Sequence, residues 1–519
     1  MFSIRSFIYS LVFLLLGSFV IVHAETSTSA SDDSVLRLSK ALDQALSHNL
    51  GLAISRYEPE KQKDAVFIEA ASFDVGVFAN TQYRESQAAS SSLAQGSFVN
   101  QSRANLGLDK RLKSGASVRI GTSATRTDTI TDGLLDPVAS GAISLSIRQP
   151  LLLAAGRQVN LAPLVRASAK QEQSIEILRA EIQDFITEVE IAYWNLAFSQ
   201  ASALLVRSNL ELADSLLAEN LERARLGLVT QLEVMQARTE FLKQQESSII
   251  AGRAVQDSQD RLIALIGMDS LASNEPIQMF SVESLQPNRN STLPDMHRVV
   301  ATALQVDSDT KIQYKEIEIA RLNQLLAKNL TVPKLDLTAG VDYLGSDAVL
   351  HQAYTDAYRG VDGYDWNVGF ELRVPWGLRD ARARYNRATR TVQQQELRLY
   401  EIRQIKARIA RSAWRAVQAG TQRVEVTQTA IALNEESFEQ ERARYGAGLT
   451  AYRQVLEAQR DLDKARRSHL QALIDQRRAT VQLARVDGTI LDRNGYTWAD
   501  ADALLSPPTI EGHPLLDKN

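Results

Sequence analysis

Three side chains near the end of the chain carry its most pointed chemistry. Gln454, Glu457 and Asp461 follow one another at helical-turn spacing. A lone carboxylate on a helix ordinarily meets only water. Repeated by rotational symmetry, it becomes a ring that favours cations and narrows a pore. The basic run RDARARYNRATR, Arg379 to Arg390, reads instead as the wet face of a helix near the strands. No catalytic constellation accompanies these groups. There is no Ser-His-Asp order, no phosphate-cradling glycine loop before a helix and no metal-spaced His/Glu set. The reading is not an enzyme, with neither cofactor nor metal. The chain has no cysteine, which excludes disulfides, zinc-thiolate sites and an N-terminal lipidated cysteine. A net charge of -4 gives no reason to expect nucleic acid.

The carboxylates lie just beyond a glycine break, and the break occurs twice. ARLGLVTQLEVMQAR (Ala224 to Arg238) and ARYGAGLTAYRQVLEAQ (Ala443 to Gln459) interrupt two long helical patterns in the same way. Gly227 and Gly448 permit positive φ, so each break predicts a tight helical hairpin. The helix before the first break spans 156–226 and the one before the second spans 379–445. At 1.5 Å per residue each is on the order of 100 Å long. Ile175, Leu178, Ile182, Phe185, Val189, Ala192 and Leu196 alternate in steps of three and four, and the stripe continues through Val206, Leu210, Ala213 and Leu217. Ile191, Trp194, Phe198 and Leu205 form a second stripe. Two stripes imply two neighbours, as in a ring of helices.

Strands stand at the other end of each long helix. Phe73 to Tyr83 and Leu335 to Tyr343 alternate apolar and polar residues, and Ile143 to Pro150 and Trp366 to Pro375 are return strands ending at proline. Asn105 to Leu112 and Ala116 to Ala124 add a pair joined by a Lys-Ser-Gly turn. The count is four to six. One apolar face of such length suits a tilted transmembrane strand, with Tyr83, Tyr343, Trp366 and Trp376 as an aromatic girdle. Residues 1–24 read as a signal peptide ending in Val22-His23-Ala24. No later run of 18 apolar residues exists, so membrane entry would fall to the strands. A soluble periplasmic coiled-coil scaffold is the competing reading.

Taken together, this order and spacing resembles the TolC family of outer-membrane efflux proteins over about Val35 to Arg493. The resemblance rests on the duplication, the transitions at Pro150 to Gly156 and Pro375 to Gly377, and the two hairpins. It implies a mainly α fold with a membrane β-barrel portion: a trimeric α-helical barrel in the periplasm plus a shared outer-membrane barrel, built from two repeats. The first repeat covers 25–267, with strands in 73–149 and a second helix at 230–267. A linker follows at 268–294. The second repeat covers 295–487, with strands in 335–374 and a second helix at 449–487, and the tail is 488–519. It further implies a passive duct of a tripartite efflux or type I secretion system, in contact with outer-membrane lipid, opened by a periplasmic adaptor (membrane fusion) protein and an inner-membrane transporter. Adaptors would dock at Gly227, Leu228, Val229 and Thr230, and at Gly448, Leu449, Thr450 and Ala451. Tyr445 and the acidic partner Glu233 match positions that hold the tip closed, and Glu457 matches one constricting acidic ring. Thr450 stands where the closing arginine is found in TolC itself, and Gln454 replaces one ring acid. The extra strand pair departs from the family's four-strand pattern.

Overall fold

The computed structural model describes residues 35–87, 98–131, 134–267, 281–286, 293–360 and 362–497. The expected signal peptide, most of the linker and the end of the tail lie outside them. Along the chain the elements are β1 (Val35–Leu36), α1 (Leu38–His48), α2 (Leu50–Ser55), α3 (Tyr57–Ala71), β2 (Val75–Gln87), β3 (Phe98–Arg111), β4 (Ser117–Thr131), β5 (Leu134–Pro150), α4 (Arg157–Arg225) and α5 (Gln231–Ile266). The second half follows with β6 (Ser281–Val282), α6 (Met296–Val306), α7 (Ser308–Asn329), β7 (Lys334–Asp347), α8 (Leu350–Arg359), β8 (Gly363–Arg373), α9 (Arg379–Gly446), α10 (Tyr452–Val486) and α11 (Ile490–Arg493).

Six strands form one antiparallel sheet in the order β2-β3-β4-β5-β7-β8. Its two faces differ sharply. One row across all six strands reads Val77, Leu108, Ile120, Leu145, Val341 and Trp366. The adjacent row, facing the other way, reads Gly76, Asp109, Arg119, Ser146, Gly340 and Asn367. On the polar face Arg148 bridges Asp336 at 2.6 Å and Glu371 at 3.0 Å. Val77, Ile120, Trp366, Val368 and Phe370 are exposed on the apolar face. An apolar sheet face of this extent in water would aggregate, so its solvent is lipid. Strands β3 and β4 run well past the alternating segments seen in sequence. Their outer ends carry Asn100, Ser102, Arg126 and Asp128, which hide the alternation.

The helices form a layer one helix thick. On the strand side of the middle the neighbours run α3, α4, α7, α9; on the hairpin side they run α5, α4, α10, α9. Helices α4 and α9 have 69 and 68 residues, so each runs the height of the layer, on the order of 100 Å. The shorter α5 and α10, with 36 and 35 residues, cover only the hairpin half. The largest core lies at mid-height. There Leu178, Ile182, Ile186, Val189 and Leu196 of α4 pack on Leu42 of α1, Leu262 and Ile266 of α5, and Ile474 of α10. Full burial of each such side chain stabilises by roughly 1.5–3 kcal/mol. Tyr193 ties in the short ribbon of β1 and β6: its hydroxyl donates to the Leu36 carbonyl at 2.8 Å and accepts from the Glu283 amide at 3.0 Å. Among the described residues, no helix is long and apolar enough to cross a membrane.

Candidate functional site: the hairpin tips

Both long helices end in the same turn. Gly227 has φ +72° and Gly448 has φ +71°. In the first tip the Leu228 amide donates to the Arg223 carbonyl and the Gly227 amide to the Ala224 carbonyl, at 2.9 and 3.0 Å. In the second, the Leu449 amide donates to Arg444 and the Gly448 amide to Tyr445, at the same distances. These six-to-one closures satisfy the orphan carbonyls of a helix end, and the left-handed residue they need is glycine. Leu228 and Leu449 then point outward, 70% and 72% exposed.

The helices leaving the two turns start differently. In α5, Thr230 Oγ1 accepts from the Glu233 amide, and Glu233 Oε2 accepts from the Thr230 amide at 2.8 Å. This is a complete capping box. The carboxylate of Glu233 is thereby bonded within its own turn. In α10, Ala451 stands at the equivalent position and offers no side-chain cap.

What holds the second tip is tertiary. Tyr445, in the last turn of α9, is 5% exposed, and its hydroxyl donates to Asn220 Oδ1 at 2.8 Å. Asn220 is fully buried and its Nδ2 donates to the Leu216 carbonyl. The Arg223 guanidinium stacks 4.5 Å above the Tyr445 ring, donates to the Tyr445 carbonyl and pairs with Glu219 at 3.1 Å. Burial raises the Tyr445 phenol above its ordinary pKa, with Arg223 opposing that shift. Tyr452, the first residue of α10, is buried 5.6 Å from the Tyr445 ring, against Ala237 of α5 and Phe438 of α9.

A second tie lies farther up. Glu240 of α5 is buried and accepts from Arg460 of α10 at 2.8 Å and from Gln244 at 2.9 Å. Burial alone would raise the Glu240 carboxyl, but these hydrogen bonds outweigh it and hold the group below its ordinary value. Nearby, Asn209 of α4 donates to Asp463 of α10 at 2.5 Å.

Gln454, Glu457 and Asp461 all lie exposed on α10, away from the buried face of Tyr452, Val455 and Leu462. Glu457 also borders a hollow of about 630 Å³ between α5 and α10, beside Met235, Arg453 and Arg460. Tyr83, Tyr343 and Trp366 stand on the sheet's apolar face, and Trp376 is fully exposed beyond the end of β8. Asn220, Arg223, Tyr452, Glu240 and Arg460 were not singled out from sequence. Only Asn220 left a signal: it falls where the apolar stripe through Leu210, Ala213 and Leu217 next expects a core residue, and a polar residue there marks a specific partner. Among the described residues no group of acids and histidines could hold a metal.

A one-layer wall of helices, an amphipathic sheet facing lipid and two matched tips define a membrane-anchored duct. The sequence profile of the family described as outer membrane efflux protein matches residues 99–268 and 301–489. The chain belongs to that family, and it is an outer-membrane efflux channel with its helices in the periplasm. The fold is similar to that of the Campylobacter jejuni CmeC outer membrane channel, with TM-score 0.65, 15% identity, and 91% of this chain and 90% of that one covered. It is also similar to VceC of Vibrio cholerae, at TM-score 0.63, 17% identity and 87% and 96% coverage. The open state of the Neisseria gonorrhoeae MtrE channel aligns at TM-score 0.60, 16% identity and 89% and 91% coverage. No curated protein sequence matches the chain.

Proposed function

We propose that three copies close into one export duct of a tripartite system, held shut at the hairpin end by the Tyr445 junction until an adaptor engages the tips. The observation that carries this reading is the chain's open edges. Strands β2 and β8 each pair on one side only. The helical layer likewise ends on α3 and α5 at one side and on α9 at the other. These edges are chemically matched. Helix α3 exposes Phe67 and Ile68 and is net acidic, with Lys61 and Lys63 pairing Glu58 and Glu60 and leaving Asp64 and Glu69, while the facing half of α9 exposes Leu397 and Tyr400 among Arg382, Arg390, Arg408 and Arg415. On the hairpin side, Leu242, Ile249 and Ile250 of α5 would meet Val426 and Leu433 of α9. Three six-stranded sheets make an eighteen-stranded barrel, in the size class that leaves an aqueous channel.

In that ring Gln454, Glu457 and Asp461 become stacked rings near the closed end, favouring cations. The exposed Leu228 and Leu449 suit an apolar contact with a periplasmic adaptor, which would couple the duct to an inner-membrane transporter. The soluble-scaffold reading fails on the exposed apolar sheet face. Single-channel recording of the purified chain in a planar bilayer tests the proposal. Small cation-preferring steps are expected, with loss of cation preference in Glu457→Ala. Well-folded protein that never conducts would refute the duct.

A further inference from the structure

Between β7 and β8, where the strand alternation stops, α8 folds and lies back on the sheet. Two glycines make the seat. Gly141 and Gly345 stand opposite each other in β5 and β7, on the apolar face. A Cβ on Gly345 would fall 2.0 Å from the Ala353 carbonyl oxygen and 2.5 Å from the Ala357 nitrogen; one on Gly141 would fall 2.9 Å from the Tyr354 Cα. Helix backbone therefore rests directly on strand backbone, with Ala353 and Ala357 buried in the contact. The apolar face meets lipid, so α8 sits outside the barrel. Its far side exposes the aromatic Tyr358 together with the polar His351, Gln352 and Arg359. An outer side of one tyrosine among polar and charged groups suits the headgroup layer, and α8 lies at the strand ends remote from the helical duct, beside Tyr343.

Next to Tyr354 the apolar face dips. A hollow of about 420 Å³ is floored by two successive rows of β2, β3 and β4, with Asn80 and Asn105 between them also lining it, and Tyr354 walls it. The rows are Ala79–Leu106–Thr122 and Thr81–Ala104–Ala124. The row two residues nearer the helical duct holds Val77, Leu108 and Ile120, so the dip is a local loss of side-chain volume within a full apolar band. The row beyond it carries Ser102 and the exposed Arg126, which pairs with Asp128 at 3.2 Å. The hollow thus has a charged rim on the headgroup side and is continuous with the lipid-facing surface below. Its volume lies in the range of small-ligand clefts, roughly 300–1,000 Å³.

We propose that this hollow is a lipid site: it holds one acyl chain of an outer-leaflet lipid, with Tyr354 of α8 as its wall and Arg126 and α8 meeting the headgroup. The occupant is an acyl chain because the hollow opens on the membrane-facing surface and the side chains of its two floor rows are Ala79, Ala104, Ala124 and Leu106 with the hydroxyls of Thr81 and Thr122. The inference rests on the outer-membrane placement and not on the closure of the tips.

Native mass spectrometry of the full-length oligomer, released from nanodiscs of phosphatidylethanolamine and phosphatidylglycerol, tests it. The wild type and the control Val368→Leu, on the same face outside the hollow, are expected to retain lipid after bulk lipid is stripped. Filling the floor with Ala104→Leu and Ala124→Leu should lower retention by roughly tenfold. Tyr354→Ala removes the wall without touching a strand, and it decides the matter if the filled floor prevents insertion. Retention equal to wild type in Tyr354→Ala, or no lipid retained by the wild type, overturns the site. A retained mass belonging to a peptide rather than a lipid also overturns it. Conductance recorded on the same samples separates failure of the duct from failure of the lipid site.

Discussion

The first hairpin tip is held by its own residues and the second by its neighbours. Both make the same glycine turn at almost the same φ. In the first, Thr230 and Glu233 cap the outgoing helix locally. In the second, Ala451 caps nothing, and Tyr445 reaches across to Asn220 and Arg223 of the other long helix. A local cap costs nothing when neighbouring helices move, whereas a tertiary latch is lost with the motion. On the closure proposed above, the second tip is the part that swings once Tyr445 is released, with the locally capped first tip as its reference. Thr450 carries no charge, and the arginine that meets Tyr445 is Arg223 on the opposite long helix.

The strongest way to break this asymmetry is to remove the stacked cation. Arg223→Ala should raise single-channel conductance several-fold, while Thr230→Ala, which loses only a cap of about 1 kcal/mol, should leave conductance unchanged. Equal effects would abolish the distinction between the tips. Tyr452→Ala comes next. Emptying that buried ring should cost about 3 kcal/mol locally, seen as faster amide exchange in the first turns of α10 and not in α5.

A pH series sharpens the comparison further. Glu240 is held below its ordinary value, so its contribution is present above the unfolded carboxyl pKa of about 4.3. It is lost as pH falls through the lower folded value. Amide exchange around Glu240 and Arg460 should therefore accelerate only below about pH 4, and Glu240→Gln should flatten that dependence. The Tyr445 phenol is shifted upward, so its hydrogen bond persists across neutral pH and is lost only in strong alkali. The smallest effect should be symmetrical. Gly227→Ala and Gly448→Ala meet no atom within 4 Å, so each costs only the left-handed strain, about 1–2 kcal/mol, and neither tip should suffer more in thermal unfolding.

Features with a period were legible in the sequence. The stripe through Leu178 and Ile182 is buried because its spacing matches a helix in a wall of helices, and the glycine breaks are legible because glycine takes their positive φ without the strain other residues incur. Contacts between distant segments were not. Nothing local says that Tyr445 bonds Asn220 or that Glu240 meets Arg460. Glu233 matches an acidic partner by position, and its carboxylate bonds within the capping box, which Thr230 and Glu233 spell out in sequence as well. Helix α8 was illegible for the same reason. LHQAYTDAYR is weakly helical alone, and its seat depends on Gly141, far away in another strand.

The central claim is that Tyr445 latches the second tip through Asn220. A double-mutant cycle of Tyr445→Phe and Asn220→Leu, read by single-channel conductance, tests it most directly. The latch predicts that each substitution opens the channel and that the pair opens it no further than either alone. Additive increases, or conductance unchanged in all three variants, would contradict it.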